Sequence, residues 1–283
     1  MRVGHSVGVS RGSTANGSGR RSASGAPAGA ASTPTPPPGH TPVTGNPAER
    51  RAAVVLAGHT GDRDVIVAAR HDSEPSVRAA AVGAAHRSGV LDEDHLRAAL
   101  RDPDPGVRDR AARVAAASTL AVEALTDLLD DGDDIVVESA CAAAGERTDL
   151  PDRGVRRLVE LTSDHDDALV REAAVAALGS LAGEGRIDEL GLTEQVVSAI
   201  LRAGDDIAAV RRRVAVATAA FEDPRVEALC ERFLSDRDQQ VRQITEDLLE
   251  VGGTPTASPV ELRPRTRDAD DPATGGPGTG SSV

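Results

Sequence analysis

The chain has 283 residues, a formal net charge of −13, two Cys, two Phe, and neither Trp nor Tyr. It also has no Lys, so all 32 basic residues are Arg. This composition argues against base-stacking nucleic-acid modules and aromatic ligand cages. It also lacks the cysteines of a disulfide scaffold and any run of ~18 apolar residues that would span a membrane.

In chain order, residues 1–45 come first, a Ser-, Gly-, Ala- and Pro-rich segment with Arg2, Arg11, Arg20, Arg21 and no acid. Such a segment has too little apolar surface to offset its ordering entropy, and a disordered basic tail is expected. The stretch after Arg20-Arg21 lacks the ~7–15-residue apolar run of a secretory signal, so a cytoplasmic location is expected. Residues 254–283 read as a second disordered polar tail, with three Arg against four acids. The body, 46–253, carries 25 Arg against 41 acids, a balance of −16.

One phrase recurs along that body: an apolar helix ending in Asp, a short acidic turn, then Val-Arg opening another helix. It begins at Asp72 (DSEPSVRAAAVGAA), Asp102 (DPDPGVRDRAARVAA), Asp131 (DGDDIVVESACAAA), Asp164 (DHDDALVREAAVAAL), Asp205 (DDIAAVRRRVAVATA) and Asp236 (DRDQQVRQITEDLL). The Asp residues are spaced by 30, 29, 33, 41 and 31 residues, the range of two-helix solenoid repeats.

Within the Val-Arg segments, apolar residues fall at helical spacing, as in Val107, Ala111, Val114 and Ala115, or Val170, Ala174, Ala177 and Leu178. The preceding helices have their own stripes: Leu96 and Leu100, Leu125 and Leu129, Leu229 and Phe233. Turn acids suit helix N-termini, where carboxylates accept free N–H groups and favour the dipole. Pro103, Pro105 and Pro224 sit near helix starts, where a missing N–H costs little. The pattern predicts a capping helix at 47–58 and six helix pairs near 62–88, 92–117, 119–146, 152–183, 193–220 and 223–251. Two irregularities stand out. Val137 occupies the Arg position of the third repeat, and a longer connection, 183–192, precedes the fifth pair.

These residues resemble HEAT repeats, in particular the short Asp-x-Asp…Val-Arg type called phycobilisome-lyase HEAT-like repeats. The resemblance implies an all-α fold, an α-α superhelix whose turns join outer to inner helices, with the inner helices lining a concave surface. It also implies that Arg78, Arg108, Arg171, Arg211 and Arg242 form a structural ladder with the turn acids Asp72, Asp102, Asp131, Asp164, Asp205 and Asp236. Val137 would then mark a weaker joint.

Partner-binding candidates are the charged residues expected outward on the inner helices: Arg110, Arg113, Arg212 and Arg213, with Glu138, Glu172 and Glu246. No catalytic, metal or cofactor site is expected. Deoxyhypusine hydroxylase, of similar fold, uses His-Glu pairs to bind iron, whereas none of the seven His here precedes Glu. Alkylpurine DNA glycosylases of similar fold need a basic groove with aromatics. The acids beside His71, His95 and His165 are already explained by helix capping. Cys141 and Cys230, about three repeats apart, are too distant for a disulfide and are expected to be small buried residues.

The expected function is a non-catalytic protein–protein interaction scaffold whose solenoid surface holds a partner protein, a basic one by charge complementarity. Nucleic acid and anionic membrane would be repelled at −16. The alternative is an accessory protein or enzyme in prosthetic-group or protein modification, as in lyase-like or hydroxylase-like relatives.

Overall fold

The computed structural model describes residues 44–252. Apart from Thr44 and Gly45, the two expected tails lie outside the described residues. The described residues are helical throughout, with short turns: α1 (Pro47–Thr60), α2 (Arg63–Ala69), α3 (Pro75–Arg87), α4 (Glu93–Ala99), α5 (Pro105–Ala116), α6 (Val122–Asp127), α7 (Asp134–Gly145), α8 (Asp152–Asp164), α9 (Ala168–Gly183), α10 (Arg186–Glu189), α11 (Thr193–Ala203), α12 (Ala208–Ala217), α13 (Pro224–Phe233) and α14 (Gln239–Gly252). Two 3-10 turns, Leu128–Asp130 and Thr218–Ala220, extend α6 and α12. The capping helix and the six pairs are those the periodicity predicts. No described helix is long and apolar enough to cross a membrane.

The helices form two layers. In one, α1, α3, α5, α7, α9, α12 and α14 pack in file, each on the next. The others back this row, α2 on α3, α4 on α5, α6 on α7, α8 on α9, α11 on α12 and α13 on α14. The predicted stripes supply the core: Leu96, Leu100, Leu125, Leu129, Leu229 and Phe233 from the backing row, and Val107, Ala111, Val170 and Ala174 from the other, are all buried.

Small residues bring the first row together. A Cβ added at Gly145 of α7 would lie 2.8 Å from the Ala177 Cα of α9, and one at Gly179 would lie 3.2 Å from the Ala217 Cα of α12. Helices this close gain dispersion contacts along their backbones, which a core without large aromatics needs.

The long 183–192 connection is packed down rather than looping out. It folds into α10 between left-handed Gly185 (φ 77°) and Gly191 (φ 66°), and Ile187 is buried beneath it. The Arg186 guanidinium donates to the Leu150 carbonyl (3.1 and 2.8 Å), tying the connection to the previous repeat. One expectation fails. Cys141 is buried, but Cys230, on α13, is only half-buried, because no described repeat follows this helix pair to cover it.

Replacing Gly145 by Val forces α7 and α9 apart, an overpacking that costs about 1–3 kcal/mol. Thermal unfolding is expected to fall by about 2–12 °C. Gly183→Ala, where an added Cβ meets nothing within 4 Å, is expected to leave it unchanged or raise it.

Candidate functional site

The recurring turn is built by a division of labour between its acids. The first takes the arginine of the preceding repeat and also accepts a backbone N–H within the turn, as Asp102 does from Asp104 (2.9 Å) and Asp131 from Asp133 (3.0 Å). The second caps the following helix: Asp104, Asp133 and Asp167 accept from the first-turn amides of α5, α7 and α9. The same motif therefore starts a helix and receives a charge from its neighbour.

Four of the five predicted ladder arginines are clamped at both ends. Arg78 sends Nε and Nη2 to the two Asp102 oxygens (2.8 and 2.7 Å) and Nη1 to the carbonyl of Asp72 in its own turn (2.9 Å). Arg108 does the same with Asp131 (2.6 and 2.8 Å) and the Asp102 carbonyl (2.8 Å). Arg171 takes Asp206 (2.7 and 3.0 Å), and Arg211 takes Asp236 (2.8 Å at both oxygens). Such parallel forks are the strongest ion-pair geometry for arginine. They are also sheltered: the Arg108 and Asp131 side chains are 17% and 7% exposed.

The structure corrects the ladder at four places. Arg171 pairs with Asp206, not Asp205, whose carboxylate instead meets Arg232 (3.0 Å). Asp164 is not a rung: the position equivalent to Asp72 and Asp102 is held by His165, whose Nδ1 accepts the Asp167 amide (3.1 Å) and whose carbonyl accepts from Arg171. Arg242 binds the carbonyl of its own turn (Asp236, 2.6 Å) but meets no acid ahead, because α14 is the last described helix. Finally, the ladder starts one step earlier than expected, with Arg50 of α1 forked onto Asp72 (2.7 and 2.8 Å) and bound to the Gly45 carbonyl. Its 22-residue lead over Asp72 matches the 24 and 23 residues of the next two rungs, a signal present in the sequence.

The rung between the third and fourth turns is missing on both sides. Where the arginine gives way to Val137, which is buried, the acceptor ahead is His165 rather than Asp. Losing both partners leaves neither charge stranded, which is far less costly than losing one. An arginine of the backing row serves this joint: Arg157 of α8 reaches Asp130 (2.7 Å). Arg147, 3% exposed, serves the joint before it, forking onto Asp149 and donating to the carbonyls of Ala115 at the end of α5 and Leu120 (3.1 Å each).

Electrostatics follow the geometry. Hydrogen bonding to Arg108 holds the Asp131 carboxyl below its ordinary value against the opposing effect of burial; Arg171 does so for Asp206 and Arg211 for Asp236. Burial pushes the Cys141 thiol up to about 12, so it is not a nucleophile. Burial, reinforced by Arg70, brings His95 down to about 4. Among the described residues, no three His, Cys, Asp or Glu gather as a metal site.

The seven partner-binding candidates do not form one patch of free charge. Arg212 forks onto Asp238 (3.0 and 2.6 Å), and Arg113 pairs with Asp109 (2.9 Å). Arg212 therefore links two repeats, whereas the Arg113 pair lies within α5 at i, i+4. Arg213 and Glu246 are exposed, while Arg110, Glu138 and Glu172 are half-buried. Exposed apolar residues were not foreseen as surface features: Ile135 (60%), Leu169 (56%) and Ile207 (49%).

Residues 93–179 match the family described as HEAT repeats. The matched segment spans α4 through most of α9 and contains the rung from Arg108 to Asp131. Among solved structures, an engineered protein from the Northeast Structural Genomics Consortium is similar at 20% identity, over 70% of this chain and 95% of that one, with a TM-score of 0.47. A designed armadillo repeat protein is similar at 18% identity, over 73% and 94%, with a TM-score of 0.45. Another, in complex with the peptide (KR)4, is similar at 19% identity, over 70% and 97%, with a TM-score of 0.46. No curated protein matches the chain.

Two predictions follow from the ladder. Arg108→Ala leaves a sheltered Asp131 without its fork, a loss of about 3 kcal/mol, expected as a fall in melting temperature of about 6–12 °C at pH 7. Because the folded-state pKa of Asp131 is depressed, this contribution is present above the unfolded value near 4 and is lost as pH falls below it. The gap between variant and wild type is therefore expected to close in acid. Introducing Val137→Arg alone places an unpaired charge in the seam and lowers the melting temperature. Adding His165→Asp is expected to restore stability, so that the two changes are coupled in a double-mutant cycle.

Proposed function

We propose that this chain is a non-catalytic protein-binding scaffold and that the partner it holds is a basic protein. The observation carrying this reading is a row of exposed apolar side chains on consecutive turns. Ile135 lies at the start of α7, Leu169 at the start of α9 and Ile207 just before α12. The turns bearing them are neighbours: His165 Nε2 stands 3.8 Å from Asp134 Oδ1, and Arg171 joins the fourth turn to Asp206 of the fifth. Large apolar groups in water on one edge of a rigid stack suit an interface.

Their surroundings favour a cationic partner. Asp134, Asp166 and Asp205 stand beside the three apolar residues and are exposed. A basic amphipathic segment would cover the apolar row while its charges meet the rim, and the net charge of −13 would speed its approach. The repeats themselves we assign to the short Asp-x-Asp…Val-Arg type, on the strength of the acid division of labour in the turns.

The test uses the full chain as bait in native lysate, beside an Ile135→Ser/Leu169→Ser/Ile207→Ser variant, with elution by rising salt and mass spectrometry. The wild type is expected to retain a stoichiometric basic protein released by salt. The variant is expected to retain about a tenth of it or less, as for loss of interface anchors. Equal retention by both proteins would count against this surface.

A further inference from the structure

We propose that the groove between α1, α3 and α5 is a second binding site, which takes the carboxylate side chains of an acidic protein segment. The groove encloses about 560 Å³ and is lined by Arg51 and Val55 of α1, Ala79, Ala80 and Arg87 of α3, and Arg110 of α5. It lies toward the opposite end of the array from the apolar row, and it wants a ligand of opposite charge. The proposal is therefore independent of the partner argued above.

The charge balance of the groove is anomalous for this chain. In a body with 41 acids and 25 Arg, most arginines find a carboxylate; Arg51, Arg87 and Arg110 make no ion pair among the described residues. The one acid lining the groove, Asp109, is already engaged, accepting from Arg113 (2.9 Å) and from the Ser139 hydroxyl (2.6 Å). Three arginines thus line one concavity whose single carboxylate already accepts from two other groups.

Two of them are seated by glycines. A Cβ at Gly58 would lie 2.9 Å from Arg87 Nη2, and a Cβ at Gly83 would lie 2.9 Å from Arg110 Nε. Each guanidinium therefore rests on bare helix surface of the preceding repeat, one step along the same row. This placement holds the cations over the groove at a low cost in side-chain freedom.

The spacing and floor select an extended peptide over a compact anion. Neighbouring helices stand ~8–10 Å apart, which an extended chain rising ~3.3 Å per residue covers in about three residues. Acids about three residues apart would meet successive arginines, while the residues between them pack on Val55, Ala79 and Ala80. Nucleic acid fits poorly, because no Phe, Tyr or Trp lines the groove for stacking and the acidic body repels a long polyanion.

Fluorescence anisotropy on the full chain at low salt tests this with a fluorescein-labelled Glu-Leu-Ala-Glu-Leu-Ala-Glu peptide and its Gln counterpart. The acidic peptide is expected to bind and the Gln peptide not. Arg51→Gln/Arg110→Gln is expected to weaken binding about tenfold or more, as two charge-assisted contacts are lost. Arg202→Gln/Arg237→Gln, which removes the same charge from exposed positions elsewhere, is expected to have no effect. Equal binding of the two peptides, or an equal loss in both double variants, overturns the proposal. Full displacement by equimolar inorganic phosphate also overturns it, in favour of a site for a free oxyanion.

Discussion

The interaction on which this architecture depends is the doubly clamped arginine. A two-helix repeat cannot bury its apolar face alone, so neighbouring repeats must be held in one register. Hydrophobic contact between Ala-rich helices is weakly directional and would tolerate sliding. The fork from Arg78, Arg108, Arg171 or Arg211 to the next turn does not, because two parallel hydrogen bonds and a third to the arginine's own turn set distance and angle together. The acceptor also organises its turn, so helix capping and inter-repeat registry are coupled through one carboxylate.

The exception clarifies the rule. At the joint between the third and fourth turns both partners are gone, and the α7–α9 seam relies instead on the close approach of Gly145 to Ala177. Arg157 of the backing row meanwhile reaches Asp130. Registry here comes from shape and from an ion pair between backing elements rather than from a fork between turns. The array is thus a chain of nearest-neighbour joints, most locked by a turn fork and one without it, and damage at one joint acts first on the two repeats it connects.

The same arithmetic of pairing shapes the surface. Because so many arginines are consumed internally, the acids left over dominate the exterior, and the few unpaired arginines become conspicuous where they gather. One protein can then present an acidic edge with exposed apolar residues and, on the preceding repeats, a cationic groove. Net charge describes the field felt at a distance, whereas the local balance of paired and unpaired groups determines what each surface can hold.

Helix positions, capping acids, core stripes and the all-α repeat were legible in the sequence, because periodicity and capping act within a few residues. So was the identity of most ladder arginines, since they recur at one place in a repeated phrase. What the tertiary structure alone decided was partnership. Asp206 rather than Asp205 receives Arg171 because the fifth turn is a residue shorter, with Arg211 five residues after the acid instead of six. Arg212 links its repeat to Asp238 of the next, while Arg51 and Arg87 join Arg110 in one groove. Local pattern selects which residues face a seam or the solvent; which of them meet depends on how repeats that are 20 to 40 residues apart stack, and that distance is not written in any one repeat.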